Sequence, residues 1–215
     1  EDLRKQIVRA IQDPHERFAE DKLRMLRAVR FAATFGFSID GPTLDAVQQR
    51  AAEITVVSAE RIAVEMRRML AHDQRSVAAT MLRQTGLLAV ILPESNAFDA
   101  EPDGGEKWDR AVRTLDQLAN ATFSMSLAAL VRELAPPEKW AGREGRVICR
   151  RWKLSNEETQ SVAFLLDHDQ MIRSAISLPW PTVQRILIRN EVRPLLQFAR
   201  TVAVVSGESL EGVAF

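Results

Sequence analysis

Apolar residues recur every three or four positions along most of this chain, which is the period of an amphipathic α-helix. The pattern predicts helices over residues 16–35, 42–54, 58–72, 74–85, 106–120, 123–134, 141–152, 156–168, 180–190 and 194–205. Ser58 and Ser155 stand where helix N-caps belong, and Gly36 and Gly86 stand where helices should end. The alternating pattern of β-strands is nearly absent. The sequence therefore predicts an all-α fold.

The first of these predicted helices has an unusual polar face. Phe18 and Met25 share its apolar side, given the helical repeat of about 3.6 residues per turn. The opposite side carries several charged residues and one aromatic residue: Arg17, Glu20, Asp21, Arg24, Arg27 and Phe31. Phe31 could pack beneath a bound base, or it could contact the next helix through Phe35 and Phe37. This face could therefore bind a ligand.

Asp21 and Arg24 are three residues apart, so a helix would place them side by side. Cytosine and adenine each present a ring-nitrogen acceptor beside an exocyclic amino donor, and a guanidinium next to a carboxylate matches that edge. Guanine and uracil reverse the order of donor and acceptor. The pair could therefore select cytosine and adenine, although its spacing alone favours an exposed surface ion pair.

A longer set of residues changes this interpretation. It comprises Asp13-Pro14, the run RFAEDKLRMLRAVRFAATFGFSID over residues 17–40, and VSAERI over residues 57–62, followed by Glu65. This ordered set resembles the neck of the bacterial tRNA nucleotidyltransferase and poly(A) polymerase family, which includes the CCA-adding enzymes. The resemblance is strongest over residues 1–75 and weaker beyond them.

The resemblance implies a role for each motif. Glu20, Asp21 and Arg24 match the E-D-x-x-R motif, which acts in the family as an amino-acid template for the incoming CTP or ATP. Arg17 and Arg27 are predicted to bind nucleotide beside them. The S-x-E-R-I motif and the glutamate after it imply structural or RNA-adjacent roles for Ser58, Glu60, Arg61 and Glu65. We therefore expect part of an enzyme that adds CCA to tRNA 3′ ends, with poly(A) addition to RNA as an open alternative.

The family's N-terminal head has no counterpart in this sequence. In the head, a Gly-Ser turn and an Asp-x-Asp pair hold the triphosphate and the metal ions, and that combination does not occur here. Phosphoryl transfer depends on such metal ions to neutralise developing charge. We therefore expect that Mg²⁺ binds in a head domain that partners with this chain, and that the chain alone is inactive.

These observations divide the chain into four parts. Residues 1–12 look like the end of the head, and residues 13–92 form the neck, which would select the nucleobase and bind RNA. Residues 93–107, with the sequence PESNAFDAEPDGGEK, are polar and acidic and are predicted to form an exposed loop. Residues 108–215 would form a helical, RNA-binding body.

Part of this body resembles, more weakly, the helix pair of HD-type phosphohydrolases. Histidine and a His-Asp pair bind a divalent metal ion in active members of that class. The matching positions here are Arg110, Arg132 and Glu133. Because a guanidinium cannot ligate a metal ion as an imidazole does, the sequence predicts a degenerate HD-like region without phosphohydrolase activity.

Basic residues cluster in and just after the helix predicted over residues 141–152. Most follow one another at three- and four-residue steps and form a basic stripe, with one further arginine beside it. The residues are Arg143, Arg146, Arg150, Lys153 and Arg151. The stripe could contact an RNA phosphate backbone. A solvated helix face with Glu138 and Glu144 nearby explains the same residues.

Composition agrees with a globular helical chain. The 215 residues are 46% hydrophobic, which is enough to bury a core. No apolar run reaches the length of about 18 residues that a membrane span needs. We expect a cytoplasmic protein without a membrane partner, and a noncatalytic RNA-binding helical module is the alternative to the enzyme.

Three residue types complete the predictions. The single cysteine, Cys149, excludes an internal disulfide and is expected to be buried. Trp152 and Trp180 are expected to pack in the core. No cysteine or second histidine lies at ligand spacing near any histidine of the chain, so no metal site is predicted here. The histidines are His15, His72 and His168.

Overall fold

A computed structural model describes residues 1–134 and 141–211 and divides the chain into two units, Glu1–Glu101 and Pro102–Phe215. The described residues contain fourteen α-helices, three 3-10 helices and two strands of two residues each, so the all-α prediction is confirmed. No helix among them is long and apolar enough to cross a membrane. Glu138, which was expected near the basic stripe, lies outside the described residues.

The first unit is built around its third helix. Its elements are α1 (Asp2–Lys5), β1 (Ile7–Val8), α2 (Pro14–Glu20), α3 (Leu23–Phe35), β2 (Ser38–Ile39), α4 (Gly41–Arg50), a 3-10 helix (Ala51–Val56), α5 (Ala59–Leu70), α6 (Arg75–Gln84), α7 (Leu87–Ile91), a 3-10 helix (Pro93–Asn96) and α8 (Ala97–Ala100). α3 packs against α5 and α6 and buries Met25, Leu26 and Val29. β1 and β2 pair in parallel, with Ile7 opposite Ser38. This pairing joins the first residues of the chain, through backbone hydrogen bonds, to the segment that follows α3.

The helix predicted over residues 16–35 is interrupted, because the chain leaves α2 at Asp21 before α3 begins. Asp21 has an extended backbone, with φ of −145° and ψ of 104°. Its Oδ1 accepts a hydrogen bond from Leu23 N at 3.1 Å, which satisfies a free N–H group at the start of α3. Aspartate competes with helical hydrogen bonds in this way. Periodicity missed the break because Phe18 and Met25, on either side of it, are both buried.

The second unit is built around its longest helix. Its described elements are α9 (Gly104–Gln117), α10 (Phe123–Leu134), α11 (Ala141–Arg151), α12 (Asn156–Arg173), a 3-10 helix (Ala175–Ser177), α13 (Trp180–Leu187) and α14 (Val192–Ser206). α12 packs against α10, α11 and α14. Its approach to α11 is close, since a Cβ added to Gly142 would lie 2.0 Å from Asp167 Oδ1.

The segment 93–107 is not the exposed loop that its composition suggested. It holds a 3-10 helix, α8 and the first residues of α9, and Phe98 within it is buried. Gly104 and Gly105, which lie within the predicted loop, begin α9 instead. The boundary between the two units, after Glu101, falls inside this segment.

The two tryptophans expected in the core differ. Trp152 is buried as predicted, but Trp180 is 60% exposed. Trp180 is the first residue of α13, and that helix buries Val183 and Ile186 instead. Cys149 is buried as predicted, and this burial raises the pKa of its thiol to about 11.

Candidate nucleotide and RNA site

The break between α2 and α3 brings together Glu20 of the E-D-x-x-R motif and three of the residues predicted to bind nucleotide, Arg17, Asp21 and Arg24. Arg24 Nη1 donates hydrogen bonds to Glu20 Oε2 at 2.6 Å and to Arg17 O at 3.1 Å. Arg17 Nη1 also donates to Glu20 Oε2, at 2.9 Å. Glu20 therefore accepts from two guanidiniums at once, and the orientation of Arg24 is fixed by the last turn of α2.

The carboxylate of Asp21 is held by a different set of partners. Besides Leu23 N, it faces Arg61 Nη2, which lies 3.4 Å from Oδ1 and 3.5 Å from Oδ2. Arg61 belongs to the first turn of α5, and its backbone N–H donates to the N-cap Ser58 at 3.4 Å. The S-x-E-R-I segment therefore contributes the N-cap of α5 and a guanidinium beside Asp21. Glu60, in the same turn, is exposed.

Asp21 and Arg24 do not pair with each other, which differs from the helical arrangement that the sequence suggested. Each is held by other residues, and Arg24 Nε and Nη2 make no hydrogen bond within the part of the chain that the structure describes. Both side chains are partly exposed. The junction therefore presents a positioned carboxylate and a guanidinium with free donors to solvent.

The ionisation of Glu20 follows from these contacts. The hydrogen bond from Arg24 lowers the pKa of Glu20 below its ordinary value of 4.5, against an opposing effect of desolvation, and the charge of Arg17 adds to the lowering. A lowered pKa means that the carboxylate stays ionised at neutral pH and that its pairing is lost only as the pH falls through the lowered value. Glu20 therefore holds Arg24 throughout the physiological range.

A second ion cluster lies further along α3. Glu65 of α5 is almost fully buried, and its carboxylate accepts from Arg30 Nε at 2.7 Å and from Arg27 Nε at 3.3 Å. Arg68 Nη1 lies 3.5 Å from the same carboxylate. Sequence analysis missed Arg30 and Arg68. The signal that could have found them is the glutamate itself, since a charge on the apolar face of α5 requires partners.

Phe31 lies on the surface next to this cluster. The guanidinium of Arg30 sits 4.2 Å from the centre of its ring, within the range of a cation–π contact. The ring is nearly parallel to that of Phe35, with centroids 6.2 Å apart, and Phe35 in turn contacts Phe37. Of the two placements considered for Phe31, the structure shows an exposed ring that contacts Phe35.

In the second unit, the basic stripe lies mostly on the exposed face of α11. Arg143 and Arg150 make no hydrogen bond or ion pair with any described residue. Arg146 instead donates to Asp167 Oδ2 at 2.9 Å. Arg151 and Lys153 are exposed at the end of the helix. The basic stripe therefore forms an exposed basic surface, except that Arg146 binds Asp167 of α12.

The HD-like positions form a network of ion pairs. Arg110 Nε donates to Glu133 Oε2 at 3.0 Å, and Arg132 contacts both Glu133 and Asp169, the latter at 2.9 Å. Arg173 binds the same Asp169 through two donors, at 3.1 and 3.2 Å. The network links α9, α10 and α12. Arginine–carboxylate pairs thus occupy the positions that the sequence analysis compared with HD metal ligands, and that resemblance stays a prediction.

Comparisons with known proteins find one family model and several similar enzymes. A family model described as "Probable RNA and SrmB- binding site of polymerase A" matches residues 36–99. The CCA-adding enzyme of Enterococcus faecalis is 34% identical over 199 residues, which cover 92% of this chain and 45% of that enzyme.

Solved structures agree. The Bacillus stearothermophilus CCA-adding enzyme in complex with CTP has a TM-score of 0.66 and 26% identity, over 97% of this chain and 48% of that one. The Thermotoga maritima CCA-adding enzyme complexed with tRNA shares the fold, with a TM-score of 0.63 and 16% identity, over 96% of this chain and 51% of that one. The chain spans about half the length of the relatives it matches.

Proposed function

This chain belongs to the tRNA nucleotidyltransferase and poly(A) polymerase family, as its neck and body region, and we propose that it selects the nucleotide and binds the RNA in an enzyme that adds CCA to tRNA 3′ ends. The observation that carries the proposal is the α2–α3 junction. It holds Asp21 and Arg24 by separate sets of partners and leaves donors of Arg24 free.

Selection would work through the Watson-Crick edge of the incoming base. The carboxylate of Asp21 accepts a hydrogen bond from the exocyclic amino group of cytosine or adenine, and Arg24 donates to the neighbouring ring nitrogen. Uracil and guanine present an N–H group where Arg24 needs an acceptor and a carbonyl where Asp21 needs a donor. Leaving these groups unpaired in a desolvated site disfavours UTP and GTP.

Three neighbours act as positioning residues in this proposal. Glu20 and Arg17 orient Arg24, and Arg61 faces the carboxylate of Asp21. Arg27 lies one turn further along α3, where its guanidinium could contact the nucleotide or the RNA. The basic stripe of the second unit would contact RNA phosphates, for which Arg143 and Arg150 have no competing partner among the described residues.

Chemistry in such an enzyme needs Mg²⁺, and the described carboxylates do not fit it. No group of three or more His, Cys, Asp or Glu side chains within residues 1–134 and 141–211 could hold a metal ion. Asp167 and Asp169 are two residues apart, as in an Asp-x-Asp pair, but both are bound to arginines. We therefore expect the catalytic carboxylates in a further segment of the complete protein, and no nucleotide transfer by the 215 residues alone.

Nucleotide preference in the complete enzyme tests the proposal. We expect that Asp21→Ala, Arg24→Ala and Arg24→Lys each reduce discrimination of CTP and ATP against UTP and GTP by about 1 to 3 kcal/mol. Arg24→Lys belongs to this set because an ammonium cannot supply the planar paired donors of a guanidinium. The measurement is incorporation of each nucleotide into a defined tRNA primer.

The Arg50–Glu53 pair provides matched controls. It is another partly exposed ion pair of the first unit, with Nη1 and Oε1 2.8 Å apart. Arg50→Lys and Glu53→Ala should leave nucleotide preference unchanged. If the Asp21 and Arg24 variants keep the parent preference while their thermal stability falls, the pair is structural and the proposed selection is wrong.

Poly(A) addition is the second candidate, and the family model described for polymerase A favours it. Both activities require a site that accepts ATP, so the α2–α3 junction is compatible with either. Sequencing the RNA 3′ ends after extension by the complete protein separates them. CCA ends support the first candidate, and long adenosine tracts support the second.

A further inference from the structure

Two phenylalanine rings lie exposed side by side on α3. Phe31 is 41% exposed and Phe35 is 59% exposed. Their planes differ by only 8°, so both ring faces share one orientation. Large aromatic side chains usually dominate cores, so an adjacent exposed pair indicates a binding surface.

Positive charge lies directly beside these rings. Glu65 accepts from three guanidiniums, and a single carboxylate cannot neutralise them all. It binds Arg27 through Nε, so the two terminal nitrogens of Arg27 make no bond with any described residue. Arg68 is more than half exposed. The cluster thus holds guanidiniums in place while leaving donors and net positive charge for an anion.

We propose that Phe31 and Phe35 form a stacking platform for an unpaired base of the RNA strand, and that Arg27 and Arg68 bind the adjoining phosphate. The proposal rests on the RNA-binding function proposed above. Stacking is open to every base because each has a π-face, so this site would hold the strand without reading its sequence. The base edge would be read only at Asp21 and Arg24.

Geometry and charge favour RNA over a protein as the occupant. Phe31 lies two helical turns after Arg24 on α3, which is about 10 Å along the helix axis at a rise of 1.5 Å per residue. A few stacked nucleotides span the same distance. A strand ending near Arg24 could therefore place an earlier base on the rings. The uncompensated arginines suit phosphates, whereas a protein partner would need acidic side chains as well as an apolar patch.

The test compares ring-removing and ring-keeping variants of the 215-residue chain. Phe31→Leu and Phe35→Leu retain apolar character but lose the π-face, whereas Phe35→Trp keeps it. The probe is a short fluorescein-labelled single-stranded oligoribonucleotide of cytidine and adenosine, and the readout is fluorescence anisotropy over a range of salt concentrations. Trp180→Leu, which removes an exposed ring from the second unit, is the matched control.

We expect each leucine variant to weaken RNA binding by about tenfold, within the range measured for single base–aromatic stacks. Phe35→Trp and Trp180→Leu should bind like the parent. The salt dependence should be unchanged in the leucine variants but flatter by roughly one phosphate contact in Arg27→Gln. Far-UV circular dichroism verifies that every variant is helical.

Two outcomes would contradict the proposed stacking platform, and only the second would also contradict the proposed RNA-binding function. If the parent binds RNA and both leucine variants bind it equally well, the rings do not stack on bases and the surface is an apolar docking site for protein. If the parent itself does not bind the RNA, the proposed RNA-binding function of the chain fails together with the platform.

Discussion

Arginine–carboxylate clusters occur in both units of this chain, but their charge balance differs. In the first unit, the neck cluster sets six arginines, Arg17, Arg24, Arg27, Arg30, Arg61 and Arg68, against three acids, Glu20, Asp21 and Glu65. In the second, the body network sets three arginines, Arg110, Arg132 and Arg173, against four acids, Glu106, Glu133, Asp169 and Glu208. One has an excess of positive charge, and the other does not.

The arginines of the neck cluster are also more exposed than those of the body network, except for Arg30, which is 16% exposed. Arg27 and Arg61 of the neck cluster have about half of their side-chain surface exposed, whereas Arg173 of the body network is 10% exposed. Burial disfavours the charged form of Arg173, but Asp169 and Glu208 outweigh it and raise its pKa. Excess, exposed guanidiniums can bind an external anion, whereas buried and paired ones stabilise the fold. Charge balance and burial, rather than residue type, therefore separate the two roles.

The largest expected effect is on the body network. Asp169→Asn removes the charge that two arginines share in a buried site, so we expect unfolding of the second unit to become easier by about 3 kcal/mol. All four tryptophans lie in residues 108–180 and the chain has no tyrosine, so tryptophan fluorescence during urea unfolding reports this unit alone. Glu106→Gln, in an exposed pair at 3.9 Å, is the control and should change stability by less than about 0.5 kcal/mol. Equal effects of the two substitutions would contradict the comparison.

A smaller effect is expected at the corresponding buried carboxylate of the neck. Glu65→Gln should destabilise the first unit by about 2 kcal/mol, because Arg27 and Arg68 remain accessible to water after the charge is lost, unlike Arg173. Amide hydrogen exchange of α3 and α5 measures this loss. RNA binding should be retained under conditions where the unit stays folded, since the substitution removes one negative charge from the cluster and keeps its arginines. Loss of RNA binding in the folded variant would argue against an anion-binding role for this cluster.

The smallest expected effect is on the basic stripe of α11. Arg143→Gln and Arg150→Gln should each flatten the salt dependence of RNA binding by about one phosphate contact. Arg146→Gln should flatten it less, because Arg146 is already bound to Asp167. Salt titrations of RNA affinity give these slopes directly. If all three slopes match that of the parent, α11 is an ordinary solvated helix face.

Much of the fold could be predicted from the sequence because helix packing follows the spacing of apolar residues. The helix over residues 123–134 was predicted with its observed bounds, and Ser58 and Ser155 cap helices as expected. The break at Asp21 could not be predicted from apolar spacing. It depends on one side-chain hydrogen bond to Leu23 N, and apolar spacing continues across it.

The candidate site could be predicted from the sequence only in part. The resemblance drew attention to Asp21, Arg24 and Arg61, but spacing suggested the wrong partner for Arg24, since Glu20 and not Asp21 binds it. The contact of Arg30 with Glu65 joins two helices that are 35 positions apart at these residues, so local patterns could not reveal it, whereas Arg68 lies three residues after Glu65 on α5 and could have been found from that spacing. Their roles toward nucleotide and RNA remain predictions.

The most direct test of the account measures two properties of Arg24→Lys and Asp169→Asn side by side. The first property is the ratio of CTP to UTP incorporation by the complete enzyme. The second is the stability of the substituted unit in the 215-residue chain, followed by amide hydrogen exchange of α3 for Arg24→Lys and by the urea midpoint of tryptophan fluorescence for Asp169→Asn. We expect that Arg24→Lys loses nucleotide preference while the exchange of α3 is unchanged. Asp169→Asn should lower the midpoint and keep the preference. A preserved preference in Arg24→Lys, or a lost preference in folded Asp169→Asn, would contradict the division of roles between the two clusters.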